Sequence, residues 1–138
     1  MPRVKITREV HFNAAHRVFN PEWDDEKNSA VFGGCANPNW HGHNYELFIT
    51  IEGEPDSITG FVMDLRDLRD LVTSRVIDDV DHKNLNIDVE WMQGVVPSTE
   101  NLVVRIWDRL VGEFPAGVTL SKLTLWETPR HYVEYEGQ

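Results

Sequence analysis

Four segments of the chain alternate apolar and polar residues with the period of two that is typical of β-strands. They cover residues 4–16, 41–51, 118–127 and 131–136. In the first segment one predicted face carries Ile6, Arg8, Val10, Phe12, Ala14 and His16. In the second segment one face carries His41, His43, Tyr45, Leu47, Ile49 and Ile51. The alternation therefore predicts four strands and places histidines at the ends of two apolar rows.

Two further segments carry apolar residues at helical spacing. The first covers residues 64–80, and Asp64 is suited to cap its N-terminus. Its apolar stripe consists of Leu65, Leu68, Leu71 or Val72, Val76 and Val80. The second begins after Ser98 or Thr99 and ends before Pro115. Its apolar positions are Leu102, Val103, Ile106, Leu110 and Phe114. This spacing predicts two amphipathic helices.

The predicted elements follow the order strand, strand, helix, helix, strand, strand. Strands that are grouped around helices indicate an α+β domain, with an antiparallel sheet covered by helices on one face. Residues 20–39 are rich in Asp, Asn, Pro and Gly without periodicity, which predicts a long loop, and residues 81–86 are predicted to be a connection. We expect a single domain over residues 1–138 because the sequence contains no repeat or linker.

Composition and charge exclude several classes of function. The formal net charge of -10, without a cluster of Lys and Arg, argues against a general nucleic-acid surface. No apolar run approaches the roughly 20 residues that a membrane span requires. The N-terminal segment lacks the apolar stretch of a secretory signal peptide, so we expect a cytoplasmic location.

The histidines at the ends of the apolar rows predict a metal site. His41 and His43 share a strand face at a separation that one ion can bridge, and His16 lies beside them if the first two strands pair. Three histidines with an open fourth position are typical of catalytic zinc. The alternative for any one histidine is a hydrogen-bonded, half-buried residue, and we assign His11 and His131 to ordinary surface or packing roles.

The only cysteine, Cys35, precedes His41 by six positions. It cannot form a disulfide within the chain, and two functional roles stay open for it. It can fold back as a fourth metal ligand and close a structural site. Alternatively, it can lie near the metal without binding it and act as a general base.

Two acidic positions downstream are further candidates. Asp81 and His82 follow the first predicted helix. In one interpretation the Asp81 carboxylate orients the His82 imidazole for proton transfer, and in the other both are ordinary capping residues. Glu127 ends an apolar strand row, and a carboxylate in that position requires a donor partner. A flat ring with two parallel N–H donors would suit it, and the alternatives are an ion pair with Arg130 or exposure at the sheet edge.

These residues stand in an ordered set of motifs that resembles the 6-pyruvoyl-tetrahydropterin synthase family over nearly the whole chain. The motifs are FNAAHR, FGGCANPNWHGHNY, TGFVMDL, DHKNLN, PSTEN and WETPR. The resemblance implies that zinc binds His16, His41 and His43 and that Cys35 is the catalytic base. It also implies a proton relay at Asp81 and His82, a pterin anchor at Glu127, and pocket contacts at Thr99 and Glu100.

The same resemblance implies the tunnelling fold (T-fold), in which three subunits join their sheets into a barrel and two trimers stack as a homohexamer. The active sites then lie between subunits. The implied reaction converts 7,8-dihydroneopterin triphosphate to 6-pyruvoyl-tetrahydropterin and releases triphosphate. Zinc acts as the Lewis acid, and magnesium can assist at the triphosphate.

Two other functions stay open. The related 6-carboxy-tetrahydropterin synthase of deazapurine biosynthesis handles the same substrate with the same metal triad. Its cysteine usually has three residues between it and HGH, whereas five residues separate Cys35 from His41, so the spacing favours the pyruvoyl enzyme. The second is a non-catalytic interaction module stabilised by zinc, with Cys35 as fourth ligand. In that module the DHKNLN and WETPR motifs would have no role.

Overall fold

The alternating segments form the main strands of a five-stranded sheet in the computed structural model, which describes residues 2–138. The strands are β1 (Val4–His16), β2 (His41–Gly53), β3 (Lys83–Asn84), β4 (Thr119–Thr128) and β5 (His131–Tyr135). Their order across the sheet is β3-β1-β2-β4-β5. The long strands pair in antiparallel fashion, and the short β3 pairs with β1 in parallel. The predicted α+β fold with a mainly antiparallel sheet is confirmed.

The core lies between one face of this sheet and the helices. Alternate residues of β2 and β4 are completely buried there, because successive side chains of a strand point to opposite faces. They are Tyr45, Leu47, Ile49 and Ile51 in β2, with Leu123 and Leu125 in β4. Burying one such aliphatic side chain stabilises the fold by about 1.5–3 kcal/mol. The row that contains the predicted metal ligands is therefore continuous with the core.

The two predicted helices are present, with differences at their ends. Helix α2 (Leu65–Val72) begins after Asp64, whose side chain accepts from the Arg66 N–H, and it continues through a π-helical turn (Thr73–Ile77) into α3 (Asp78–Val80). Leu65 is 47% exposed, so its predicted place in the buried stripe was wrong, and the stripe begins at Leu68.

Helix α4 (Thr99–Leu110) is capped by Ser98 and is shorter than its apolar pattern predicted. It ends at Leu110, and Phe114, where Pro115 disfavours helical backbone, packs against the core from outside the helix. No helix of the described residues is long and apolar enough to cross a membrane.

Two elements were absent from the sequence prediction. The predicted loop contains helix α1 (Asp25–Phe32) and a 3-10 turn (Gly33–Ala36), so the assignment of a structureless segment was wrong. A cap was visible at Asp24, whose side chain accepts from the Lys27 N–H, but α1 has no apolar stripe to reveal it. The second missed element is β3, which lies within the predicted connection.

Helix α4 allows a stability test because one side chain caps it. The Ser98 hydroxyl accepts a hydrogen bond from the Asn101 N–H at 3.1 Å. We expect Ser98→Ala to lower the free energy of unfolding by about 1 kcal/mol, since the N–H loses its partner. Ser98→Asp should retain wild-type stability in the same urea titration. Equal losses in both variants would show that the cap does not stabilise the helix.

Candidate active site

The pairing of β1 with β2 brings the three predicted histidines together. His16, the last residue of β1, lies directly opposite His41, the first residue of β2, and His43 pairs with Ala14. The imidazole centroids are 4.4 Å apart for His16 and His41, and 5.2 Å apart for His16 and His43. The prediction that strand pairing would place His16 beside the other two is confirmed.

The geometry of this histidine cluster suits a metal ion. One ring nitrogen of each residue lies within 4.8 Å of the others. His16 Nε2, His41 Nδ1 and His43 Nε2 are buried and have no hydrogen-bond partner among the described residues. The other nitrogen of His16, Nδ1, lies 2.7 Å from the Pro97 carbonyl oxygen and donates to it, which leaves Nε2 as an electron-pair donor. Unpaired buried imidazole nitrogens that converge in this way fit a divalent ion such as zinc.

The protonation of the cluster also suits metal binding. Burial lowers the pKa of His16, although the Pro97 carbonyl partly opposes that shift. Burial, followed by the charge of His43, lowers the pKa of His41. Both imidazoles are therefore neutral at physiological pH, which is the form that binds metal.

Glu127 lies beside the histidines and is the extra residue of a β-bulge. The register of β4 with β5 shifts between Trp126↔Tyr132 and Thr128↔His131, which leaves Glu127 without an opposite residue. Bulges redirect side chains and are over-represented next to active sites. The predicted face of Glu127, shared with the buried residues of β4, is confirmed by its 14% side-chain exposure.

The Glu127 carboxylate is held in a polar pocket. Its Oε2 accepts from the Thr99 hydroxyl, and its oxygens lie 3.8 Å from His43 Nε2 and 4.0 Å from His16 Nε2. Burial opposes ionisation of Glu127, but the Thr99 hydrogen bond, His43 and His131 outweigh burial and lower its pKa. Glu127 is therefore an anion next to the histidine cluster.

Cys35 lies in the 3-10 turn, and its backbone ties that turn to the end of β1. The Cys35 carbonyl accepts from the Val18 N–H at 2.8 Å, and Arg17 Nε donates to the Ala36 carbonyl at 2.8 Å. These bonds lie one and two residues beyond His16. The thiol is exposed and is not part of the ligand cluster found among the described residues, which disfavours a role as fourth ligand.

Tyr45 forms the floor of this region. Its ring centroid is 5.7 Å from that of His43, and its buried hydroxyl has no partner among the described residues. Burial raises the pKa of Tyr45, and the charges of Glu127 and Cys35 raise it further. The hydroxyl therefore stays protonated and is available as a donor.

Asp81 and His82 form a hydrogen-bonded pair apart from Cys35. Asp81 Oδ1 accepts from the Asn13 N–H at 2.9 Å and lies 3.1 Å from His82 Nδ1. The imidazole is 82% exposed, and no hydrogen bond of the described chain joins it to Cys35. The contact of His82 with its neighbouring carboxylate agrees with the predicted pair, and the relay to Cys35 stays a prediction.

Two non-glycine residues with left-handed backbone border the candidate site. Trp40 has a φ of 69° immediately before His41, and His82 has a φ of 61°. Such conformations are uncommon outside glycine and persist where surrounding contacts enforce them. His82 is fixed in this way because its N–H donates to the Asn13 carbonyl at 2.6 Å. The backbone is therefore in an uncommon conformation immediately before His41 and at His82.

The predicted pocket contacts separate into two groups. Thr99 is buried and bonds Glu127, whereas Glu100 is exposed in the first turn of α4 and makes no hydrogen bond to the site among the described residues.

A cleft of about 420 Å³ opens beside His43 and Glu127, within the range typical of ligand pockets. It is also lined by Gly42, Asn44, Glu46, Trp126, Thr128 and Pro129.

His131 was missed by the sequence analysis. Its Nε2 lies 3.1 Å from Glu127 Oε1, so it partners the carboxylate in place of Arg130, the partner considered from the sequence. The spacing of four residues between Glu127 and His131 gave no signal, because residues four apart in a strand do not normally meet. The bulge and the turn after Thr128 create the contact.

Comparison with known proteins assigns the chain to a family. A family model described as 6-pyruvoyl tetrahydropterin synthase matches residues 5–138. The chain belongs to that family. It is 43% identical over 136 residues to the 6-pyruvoyl tetrahydrobiopterin synthase of Pongo abelii, covering 99% of this chain and 93% of the relative. The predictions of the family and of an enzyme are thereby confirmed.

Structural comparison gives the same family. The 6-pyruvoyl tetrahydropterin synthase of Caenorhabditis elegans matches with a TM-score of 0.91 and 38% identity, over 100% of this chain and 98% of that chain. The predicted T-fold is therefore confirmed. A more distant relative, the 6-carboxy-5,6,7,8-tetrahydropterin synthase of Haemophilus influenzae, is 24% identical over 152 residues, covering 96% of this chain and 98% of the relative.

The Asp81 contacts generate a pH-dependent prediction. The Asn13 N–H, and less strongly His82, lower the pKa of Asp81. A carboxyl group whose pKa is lower in the folded than in the unfolded state stabilises the fold at pH values above its unfolded pKa of about 3.9. This stabilisation is lost as the pH falls through the folded pKa. We expect Asp81→Asn to cost about 0.5 kcal/mol at pH 7, a small value because solvent screens a carboxylate that is 37% exposed.

The measurement is urea unfolding of both proteins at pH 7 and at pH 2.5. The difference in the free energy of unfolding should shrink at the lower pH, because protonation of Asp81 removes the charge that distinguishes it from Asn. Asp108→Asn, at an exposed position of α4, serves as the control. A difference that stays constant with pH would contradict the proposed role of the charge.

Proposed function

We propose that this chain is a zinc-dependent lyase that converts 7,8-dihydroneopterin triphosphate to 6-pyruvoyl-tetrahydropterin. The reaction eliminates triphosphate and shifts protons within the side chain, so it requires no redox cofactor. The observation that carries the proposal is the convergence of three unpaired imidazole nitrogens beside an ionised carboxylate. The relatives that share 43% and 38% identity carry the name of this synthase, which supports the same choice.

The metal in this proposal binds His16, His41 and His43. Bound zinc would supply Lewis-acid activation of the side-chain oxygens of the substrate, which acidifies the adjacent C–H bonds. The Pro97 carbonyl orients the His16 ring for this role, as outer hydrogen bonds commonly do for metal ligands. Magnesium bound to the triphosphate is part of the proposal, because the chain carries a net charge of -10.

Recognition of the pterin falls to Glu127. Its ionised carboxylate can accept two parallel N–H bonds from the amino-oxo edge of the ring, and such charge-assisted bidentate bonds are among the stronger ones in proteins. Thr99 holds the carboxylate from the side of α4. In this arrangement Glu127 fixes the pterin edge, and the side chain of the substrate extends toward the histidine cluster. Glu100 has the weaker role of a contact near the pocket.

Proton transfer is assigned to Cys35 and to the pair of Asp81 and His82. The exposed thiol of Cys35 is accessible to substrate, and its turn is anchored next to His16, so we assign it the role of the base that removes the side-chain proton. His82, oriented by Asp81, then returns or relays a proton.

The separation of His82 from Cys35 within one chain supports an oligomer. Because His82 is 82% exposed and no hydrogen bond of the described chain joins it to Cys35, we infer that the relay draws His82 from a neighbouring chain. A hexamer of two stacked trimers, with active sites between subunits, would supply that chain. This assembly is part of the proposal.

The alternative functions have weaker support. The 6-carboxy-tetrahydropterin synthase alternative relies on a relative with 24% identity, and the five residues between Cys35 and His41 disfavour it. The interaction module requires Cys35 as a fourth ligand, but Cys35 lies outside the ligand cluster of the described residues.

Metal content tests the ligand set. We expect His16→Ala, His41→Ala and His43→Ala each to lower zinc affinity more than about 100-fold, beyond the effect of losing an outer hydrogen bond. Cys35→Ala and the surface variant Asp108→Asn should keep about one zinc per chain, as three ligands suffice for a catalytic site. Metal analysis after dialysis against a graded chelator gives the measurement. Loss of zinc from Cys35→Ala would instead favour a closed structural site.

Product analysis tests the reaction. Zinc-loaded wild type and Cys35→Ala are incubated with 7,8-dihydroneopterin triphosphate and magnesium, and the products are resolved by mass spectrometry. We expect triphosphate and a pyruvoyl pterin from the wild type, with a rate about 10²–10⁴-fold lower for Cys35→Ala, as for loss of a general base. Acetaldehyde and a carboxy pterin from the wild type would assign the chain to the alternative enzyme.

A further inference from the structure

The turn between β4 and β5 contains a connected set of hydrogen bonds that ends on Glu127. The Arg130 N–H donates to Thr128 Oγ1 at 3.2 Å. Thr128 Oγ1 lies 3.1 Å from His131 Nδ1, and His131 Nε2 lies 3.1 Å from Glu127 Oε1. These contacts join three side chains and one backbone N–H in a single series.

The order of donors in this series assigns the His131 tautomer. The ionised Glu127 carboxylate can only accept, so the His131 nitrogen that faces it, Nε2, must donate. The Thr128 hydroxyl accepts from the Arg130 N–H and can donate its own hydrogen to His131 Nδ1. Nδ1 is then the acceptor, and the ring proton resides on Nε2. From that position it is donated to Glu127 Oε1. The hydrogen-bond network therefore makes His131 a donor to the carboxylate without requiring a charged ring.

The Glu127 carboxylate is consequently held from two directions. A carboxylate offers about four acceptor sites, two on each oxygen. Thr99, from α4, uses one site on Oε2, and His131, from β5, uses one site on Oε1. One acceptor site remains on each oxygen, which matches the needs of two parallel N–H donors. With a donor on each oxygen, the carboxylate plane is restricted in rotation.

We propose that His131, which donates from Nε2 and is held through Nδ1 by Thr128, is a positioning residue that fixes the plane of Glu127 for recognition of the amino-oxo edge of the pterin. This inference rests on the proposed function, in which Glu127 anchors the pterin. His131 acts through Glu127 and does not itself contact the substrate. Glu127 lines the cleft and His131 does not, as expected of a residue that acts through the carboxylate.

The test measures the Kd of neopterin, a fluorescent pterin without triphosphate, together with KM and kcat for the triphosphate substrate. His131→Ala should raise the Kd and KM about 10-fold, since the carboxylate loses one fixed donor. The kcat should change less than about twofold, because the base and metal ligands are intact. His131→Gln, whose amide can donate from a similar position, should restore most of the binding.

Further variants separate positioning from a general structural effect. Thr128→Val, which removes the hydroxyl that holds His131 Nδ1, should raise the Kd about threefold. In a Glu127→Gln background, His131→Ala should add no further loss, because the two residues act as one unit. The control is Asp108→Asn, at an exposed position of α4 that does not line the cleft, and it should leave the Kd unchanged. Zinc content and melting temperature should be equal in all variants.

The outcomes distinguish this inference from the proposed function. If Glu127→Gln weakens neopterin binding but His131→Ala, His131→Gln and Thr128→Val all bind as the wild type does, the positioning role is overturned and the pterin anchor stands. If His131→Ala weakens binding equally with and without Glu127→Gln, His131 acts independently and the inference is wrong. If Glu127→Gln leaves binding unchanged, both the anchor and its positioning residue are overturned.

Discussion

The antiparallel register of β1 with β2 is the constraint on which the rest of this structure depends. The pairing runs from Val4↔Gly53 to His16↔His41. Because side chains alternate between faces, a slip of one residue would move an entire row from the core to solvent. The same register that buries Tyr45 and Leu47 also sets His16 against His41. Stability of the sheet and geometry of the histidine cluster therefore cannot vary separately.

Burial gives the site its electrostatic character. The histidine cluster lies where the apolar row ends, so its rings are partly desolvated and their pKa values fall for His16 and His41. Glu127 experiences the same desolvation, but donors such as the Thr99 hydroxyl keep it ionised. The neutral His16 imidazole and the Glu127 anion thus lie close together, with 4.0 Å between His16 Nε2 and Glu127 Oε2. This combination suits a metal and a cationic or N–H-rich ligand edge in one site.

The parts of the fold that follow a simple period were predictable. Strand alternation and the apolar stripes gave the four main strands and two helices, since burial of one face selects those residues. Helix α1 was not predicted because polar contacts hold it, such as those of buried Asn28 with the Asn20 backbone, and it has no apolar face. Strand β3 escaped because two residues are too few to show a period.

The sequence by itself determined the ligand types, the two histidine-bearing rows and the family, because these depend on residue identity and local spacing. Only the tertiary structure decided which groups meet. The bulge at Glu127 and the contact with His131 arise from a register shift between two strands, and local spacing does not encode such a shift. Likewise, spacing along the chain did not reveal that His82 bonds Asp81 and makes no hydrogen bond to Cys35 in the described residues. Contacts between distant segments depend on packing of the whole sheet, whereas periodicity reports only the face that each segment buries.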